Sequence, residues 1–172
     1  MFTDPVKNLR ALGLGENDIV ADLGAGTGFY SVAAGKIAYN GKVYAVDLHN
    51  DFLATIKDKA KTAEVKNVET IRGNAEKIGG TGIGDAVVDA VIASNVLSQA
   101  EDRENFLREL SRILKPGGKV LFIDWSDSSE LGIGEPISPN KAKEMFERKG
   151  FVLNREISAG EHHYGMIFNK SK

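Results

Sequence analysis

Ile19-Val20-Ala21-Asp22-Leu23-Gly24-Ala25-Gly26-Thr27-Gly28 is the stretch whose reading decides the fold. Residues that suit a buried strand run straight into three alternate glycines, and small and apolar residues with helical character follow over 29–38. Glycines at such a junction permit a tight turn, let a ligand approach the backbone, and set it beside a helix N-terminus. Outward from this point the same alternation repeats. Asn40-Gly41 turns into a second strand at 42–47, and Leu53, Ile56, Ala60 and Ala63 share one face of a helix over 51–63. Further strands are expected at 68–72, 88–93 and 119–124. Between the last two, Phe106, Leu110, Ile113 and Leu114 line a helix that Lys115-Pro116-Gly117-Gly118 stops. Ser138-Pro139 opens a last helix as N-cap and first helical residue, and Gly150 closes it. Two strand-like runs, 151–157 and 164–168, are joined by residues 158–163 alone, which suits only antiparallel neighbours. Such a pattern implies a mostly parallel sheet with helices on both faces, ending in an antiparallel hairpin.

The rest of the composition narrows the classes. A chain of 172 residues without repeat or linker fits one domain, 1–172. Its 22 Lys+Arg against 24 Asp+Glu argue against bulk electrostatic binding of nucleic acid. The absence of Cys removes disulfides, thiolate metal sites and a cysteine nucleophile, and no metal centre is expected. Phe2-Thr3-Asp4-Pro5-Val6-Lys7 is too polar for a signal peptide, and no apolar run reaches the roughly 18 residues of a membrane span. The expectation is a cytoplasmic protein without membrane contact.

The ligand of the glycine turn is narrowed by two details. Asp47 ends the next strand, where a carboxylate can accept both hydroxyls of a ribose. The third glycine, however, comes one residue earlier than in the dinucleotide fingerprint, which would place it at Phe29. Asp22, two residues before the first glycine, would repel a pyrophosphate and suits an ammonium group. A ligand with a ribose, an adenine and a cationic amino-acid end fits both.

The sequence resembles the class I S-adenosylmethionine-dependent methyltransferases from Val20 to Phe168. Residues 20–28 are close to the family's first motif, and Val46-Asp47-Leu48 resembles its ribose-binding acid. Gly73-Asn74-Ala75-Glu76 resembles the adenine-contacting segment, Ser94-Asn95-Val96-Leu97 the motif after the fourth strand, and residues 114–119 the turn before the fifth. The resemblance implies a Rossmann-like, doubly wound α/β fold: seven strands, mostly parallel, with an antiparallel C-terminal hairpin strand. It implies S-adenosylmethionine as cofactor. Asp22, Gly24, Ala25, Gly26, Gly28, Ser94 and Asn95 would then surround the methionine part, Asp47 the ribose, and Leu48, Asn74 and Ala75 the adenine. Many relatives carry Asp where this chain has Asn74, whose carbonyl oxygen can still accept a proton from the adenine amino group.

Ligands of an open α/β sheet sit at the carboxyl ends of its strands, which gathers Asp22, Asp47, Asn74, Asn95, Asp124 and the 158–163 turn. Methyl transfer from a sulfonium is an in-line displacement that depends on positioning and on exclusion of water. A protic acceptor also needs a base. Asp124, His162, His163 and Tyr164 are candidates, with the His163-Tyr164 pair first. Adjacent residues of a strand face opposite ways, so at most one of His162 and His163 can enter a pocket. Trp125 either walls the substrate or simply ends its strand.

Ile78-Gly79-Gly80-Thr81-Gly82-Ile83-Gly84 lacks the Lys-Ser/Thr ending of a phosphate loop and reads as a flexible connector. The acidic run 101–104 suits a helix N-terminus. Residues 1–12, 125–137 and 158–163 are left to build the acceptor pocket, so either the acceptor is a small molecule, which is the expectation, or the site is open to a large partner. A homo-oligomer in which a second subunit completes the site stays open. So do two other classes: a cofactor-binding regulatory or scaffold protein without turnover, and a Rossmann-type NAD-binding oxidoreductase.

Overall fold

The computed structural model describes residues 3–126 and 131–172. Its strands are β1 (Ile19–Leu23), β2 (Lys42–Asp47), β3 (Val68–Arg72), β4 (Val88–Ser94), β5 (Leu114–Trp125), β6 (Phe151–Ser158) and β7 (His163–Lys170). Its α-helices are α1 (Pro5–Leu12), α2 (Phe29–Ile37), α3 (Asn50–Thr62), α4 (Arg103–Ile113) and α5 (Pro139–Glu147). Among the described residues the sheet has seven strands in the order β3-β2-β1-β4-β5-β7-β6. Every pair from β3 to β5 is parallel, and β7 runs antiparallel to both β5 and β6. The expected seven-stranded, mostly parallel sheet with an antiparallel C-terminal strand is thus the observed one.

Strand alternation divides the core. Val20, Val43, Ile92, Leu121 and Ile123 face one side, where they pack with Leu9 and Leu12 of α1 and with Tyr30, Ala33 and Ala34 of α2. Ala45 on the same side holds Leu53 and Ile56 of α3. Ala21, Leu23, Val91, Val120 and Phe122 face the other, against Phe106, Leu107, Leu110 and Ile113 of α4 and Phe146 of α5. Helices therefore cover both faces, and the strand order reverses at β1 and β4, where a crevice opens beyond their carboxyl ends.

The structure differs from the sequence reading in three places. Residues 5–12 form α1: Asp4 caps it by accepting from the Lys7 amide (3.1 Å), Pro5 starts it, and Gly13 at φ 75° ends it. The Lys115-Pro116-Gly117-Gly118 segment does not separate helix from strand. Leu114 already pairs with Val88, and the register shifts before Lys119 pairs with Ala90, so the segment is an irregularity inside β5. The glycine-rich connector is anchored. Buried Glu109 of α4 accepts from the Gly79 amide (2.8 Å) and the Thr81 hydroxyl (2.7 Å), and pairs with Arg112 at 2.6 Å. Asp102 in the acidic run does cap α4, accepting from the Asn105 amide. Expectations for Met1, Phe2 and residues 127–130 lie outside the described residues.

Candidate active site

The glycine turn between β1 and α2 is built around close approaches. Gly24 and Ala25 donate their amides to the Val46 carbonyl (2.9 and 3.0 Å), tying the turn to the end of β2. Gly24 sits at φ 69°, and a Cβ on it would lie 2.5 Å from Val96 Cγ2. Gly26 differs: at φ 55° its position for a Cβ meets no atom within 4 Å, because it faces open cavity. Its amide donates to Asp47 Oδ2 at 2.9 Å, and the His49 amide donates to Asp47 Oδ1 at 2.9 Å. Two backbone donors thus fix a carboxylate beside the turn, and each oxygen keeps lone pairs for a ligand hydroxyl.

The cavity measures about 950 Å³, near the top of the ~300–1,000 Å³ range of small-molecule sites. Asp22, Gly24, Ala25, Gly26, Asp47, Leu48, Asn74, Ala75, Ser94 and Asn95 all line it. Gly28 does not. It caps α2 at φ 84°, and a Cβ there would lie 2.7 Å from Ile56 Cγ1, so its role is to let α2 and α3 pack closely. Asp22 is buried and accepts from the Ser31 hydroxyl at 2.6 Å. Burial pushes its carboxyl up to about 7; the Ser31 hydrogen bond opposes this and the neighbouring charge of Asp47 adds to it. A bound cation would reverse that shift. Asn74 Oδ1 accepts from the Glu76 amide at 2.9 Å, which shapes the turn after β3. Asn95 holds a left-handed backbone (φ 57°), and its buried side-chain oxygen has no hydrogen-bond partner.

This donor set fits S-adenosylmethionine. It offers a carboxylate for a diol, a buried acid for an ammonium, a cradle open at Gly26, and apolar walls in Leu48, Phe52 and Ala75 for an adenine.

The structure separates the four candidate bases, and His162, in the turn before β7, does not line the cavity. His163 lines the cavity, buried, with its ring 4.2 Å from that of Trp125 and both ring nitrogens without a partner. Tyr164, next along β7, points to the opposite face, where its hydroxyl donates to the Ile137 carbonyl (2.7 Å) and its ring meets Phe122 edge-on. Asp124 is fully buried and is not part of the cavity wall. Its carboxylate accepts from the Ser98 amide (3.0 Å), the Ser98 hydroxyl (2.7 Å) and the Trp125 amide (2.8 Å), which holds the segment after β4 against β5. Of the four, only His163 stands on the cavity wall.

Thr3, Pro5 and Ile133 of the wall lie in segments the sequence left for a pocket, whereas Tyr30 and Gln99 were missed. The helix that carries Pro5 had a readable signal, because Asp4-Pro5 and Gly13 bracket it. Tyr30 is held by the Asn8 side-chain amide, which donates to its hydroxyl at 2.9 Å and ties α1 to α2 beside the cavity.

Comparison with known proteins agrees with this geometry. Residues 21–122 match the family described as "Methyltransferase domain". A demethylmenaquinone methyltransferase of Bacillus mycoides (strain KBAB4) is 32% identical over 127 residues, covering 73% of this chain and 52% of the relative. The chain spans about half the length of the curated relatives it matches. A crystal structure of a SAM-dependent methyltransferase from Aquifex aeolicus superposes with a TM-score of 0.87 at 28% identity, over 98% of this chain and 90% of that one. The cyclase SpnF superposes with a TM-score of 0.81 at 14% identity, over 97% of this chain and 79% of that one, a likeness of fold alone. With the family match spanning more than half of the residues, this chain belongs to the methyltransferase-domain family, of the class I type that uses S-adenosylmethionine.

Proposed function

We propose that this chain transfers a methyl group from S-adenosylmethionine to a small-molecule acceptor. One observation carries the reading: the Asp47 carboxylate, fixed by the Gly26 and His49 amides at the edge of a glycine turn whose cradle is open. When bound, the cofactor supplies an electrophilic methyl on a sulfonium sulfur.

The chain's own residues then bind and orient. Asp47 would accept the ribose hydroxyls and Asp22 the ammonium, with Asn95 on the wall at the methionine end. Ser94 lies at the methionine end, and Asn74 and Ala75 line the adenine edge with Leu48 against the ring. The contribution of these residues is positioning, which supplies much of the rate of an in-line displacement. The demethylmenaquinone methyltransferases among the relatives support a small organic acceptor, as does a cavity with room beside the cofactor.

Calorimetric titration tests the reading. S-adenosylmethionine and S-adenosylhomocysteine should bind and NADH should not, and Asp47→Ala should weaken binding about tenfold as the diol loses its acceptor. An unchanged dissociation constant in a folded Asp47→Ala variant would remove Asp47 from the site. If neither sulfur ligand binds, the reading itself fails.

A further inference from the structure

S-adenosylmethionine carries its ammonium and a carboxylate on one carbon, so the protein groups that receive the two must be neighbours. Asp22 suits the ammonium, but the wall offers the carboxylate no cation. Among the described residues that line the cavity none is Lys or Arg, while Asp22, Asp47 and Glu76 are acids. The glycine turn does not make up the lack. The Gly24 and Ala25 amides donate to the Val46 carbonyl, and the Gly26 amide donates to Asp47. A carboxylate taken out of water without donors is costly, so side-chain hydroxyls are the groups left to meet it.

Tyr30 stands where such groups are needed. It lines the cavity from the first turn of α2, and the residue after it, Ser31, donates its hydroxyl to Asp22 at 2.6 Å. The Asn8 side-chain amide donates to the phenol oxygen at 2.9 Å. An amide nitrogen does not accept, so the phenol proton is turned away from Asn8. Two further side chains within hydrogen-bond reach of that oxygen are Thr3 and Ser94, and both belong to the cavity wall. Three hydroxyls thus meet at one place on the wall, close enough to Asp22 for its charge to act on the phenol. Burial, with the Asp22 charge, pushes the Tyr30 pKa above its ordinary value, so the phenol stays a donor at neutral pH.

We propose that Tyr30, with Thr3 and Ser94 beside it, receives the carboxylate of the cofactor's amino-acid end, so that neutral hydroxyls take the place of a cation. The inference rests on the methyltransferase reading and adds to it a residue that specifies the cofactor. A carboxylate is a stronger acceptor than a hydroxyl oxygen, and a hydrogen bond to an ionised group is about twice as strong as a neutral one. The arrangement also makes α1 part of the cofactor site. Asn8 of that helix orients the phenol, and Thr3 directly precedes its cap, Asp4.

Calorimetry with two ligands tests this: S-adenosylhomocysteine, and S-adenosyl-3-thiopropylamine, which keeps the ammonium and lacks the carboxylate. The unsubstituted protein should bind the first about tenfold more tightly, the effect of one hydrogen bond to a charged group. Tyr30→Phe keeps the ring and removes the hydroxyl. It should weaken S-adenosylhomocysteine about tenfold and leave the amine unchanged, so the preference disappears. A merely structural role, such as a loosening of α1 when Asn8 loses its acceptor, would weaken both ligands equally and keep the preference. Absence of a preference in the unsubstituted protein, or a preference that survives in Tyr30→Phe, would overturn the proposal. Failure of S-adenosylhomocysteine to bind the unsubstituted protein would instead overturn the methyltransferase reading beneath it.

Discussion

Asp22 shows how far one residue's charge depends on its surroundings. Burial raises its carboxyl to about 7, so it is neutral in mildly acidic solution and offers an ammonium no counter-charge there. Affinity for S-adenosylmethionine should therefore rise between about pH 6 and about pH 8, and Asp22→Asn should flatten that dependence in a calorimetric series. The sign for stability is opposite. The folded state without ligand holds this proton more tightly than the unfolded chain, so Asp22 costs stability as the pH rises through about 7. Two glycines of the same turn should also respond differently to a methyl group. Gly24→Ala drives a Cβ to 2.5 Å from Val96, and should cost about 1–3 kcal/mol in chemical denaturation. Gly26→Ala meets nothing, so beyond a backbone cost of roughly 1 kcal/mol its main loss should be cofactor affinity.

Among the elements, α4 and β7 each combine two tasks. Glu109 of α4 anchors the 78–84 connector while it pairs with Arg112. Burial alone would raise its carboxyl, but Arg112, Thr81 and two backbone amides hold it down to about 2. A depressed carboxylate contributes stability above its ordinary value of 4.5 and loses it as the pH falls toward 2. Glu109→Ala should cost about 3 kcal/mol at neutral pH, because Thr81 loses its acceptor and Arg112 keeps only Asp85 and the Ile83 carbonyl. Urea denaturation of the variant at neutral pH and at about pH 3 should show the difference shrinking with acid. On β7, alternation gives His163 to the cavity and Tyr164 to the core. Tyr164→Phe should remove about 1 kcal/mol of stability with its bond to Ile137 and leave the affinity for S-adenosylhomocysteine unchanged.

For the whole molecule, a ligand that binds only the folded chain stabilises it by mass action. S-adenosylhomocysteine at a hundred times its dissociation constant should raise the Tm by about 5–10 °C in a thermal scan. The architecture as a whole was legible because buried parallel strands read as apolar runs and glycines punctuate them. The positions of Asp47 and the glycine turn were legible for the same reason: each sits at a strand end that the sequence marks. What escaped was set by packing across long sequence separations. Gly28 serves Ile56, Asp124 serves Ser98, and the 78–84 loop is held by Glu109, which no local pattern announces. The α1 helix is a different case, since its capping residues were present to be read.

The cavity wall has two kinds of owner. Residues 22–106 of the wall lie within the span that matches the family, 21–122, while Thr3, Pro5, Trp125, Ile133 and His163 lie outside it. The part of the wall built by the glycine turn thus falls within the family match, and these five positions fall outside it.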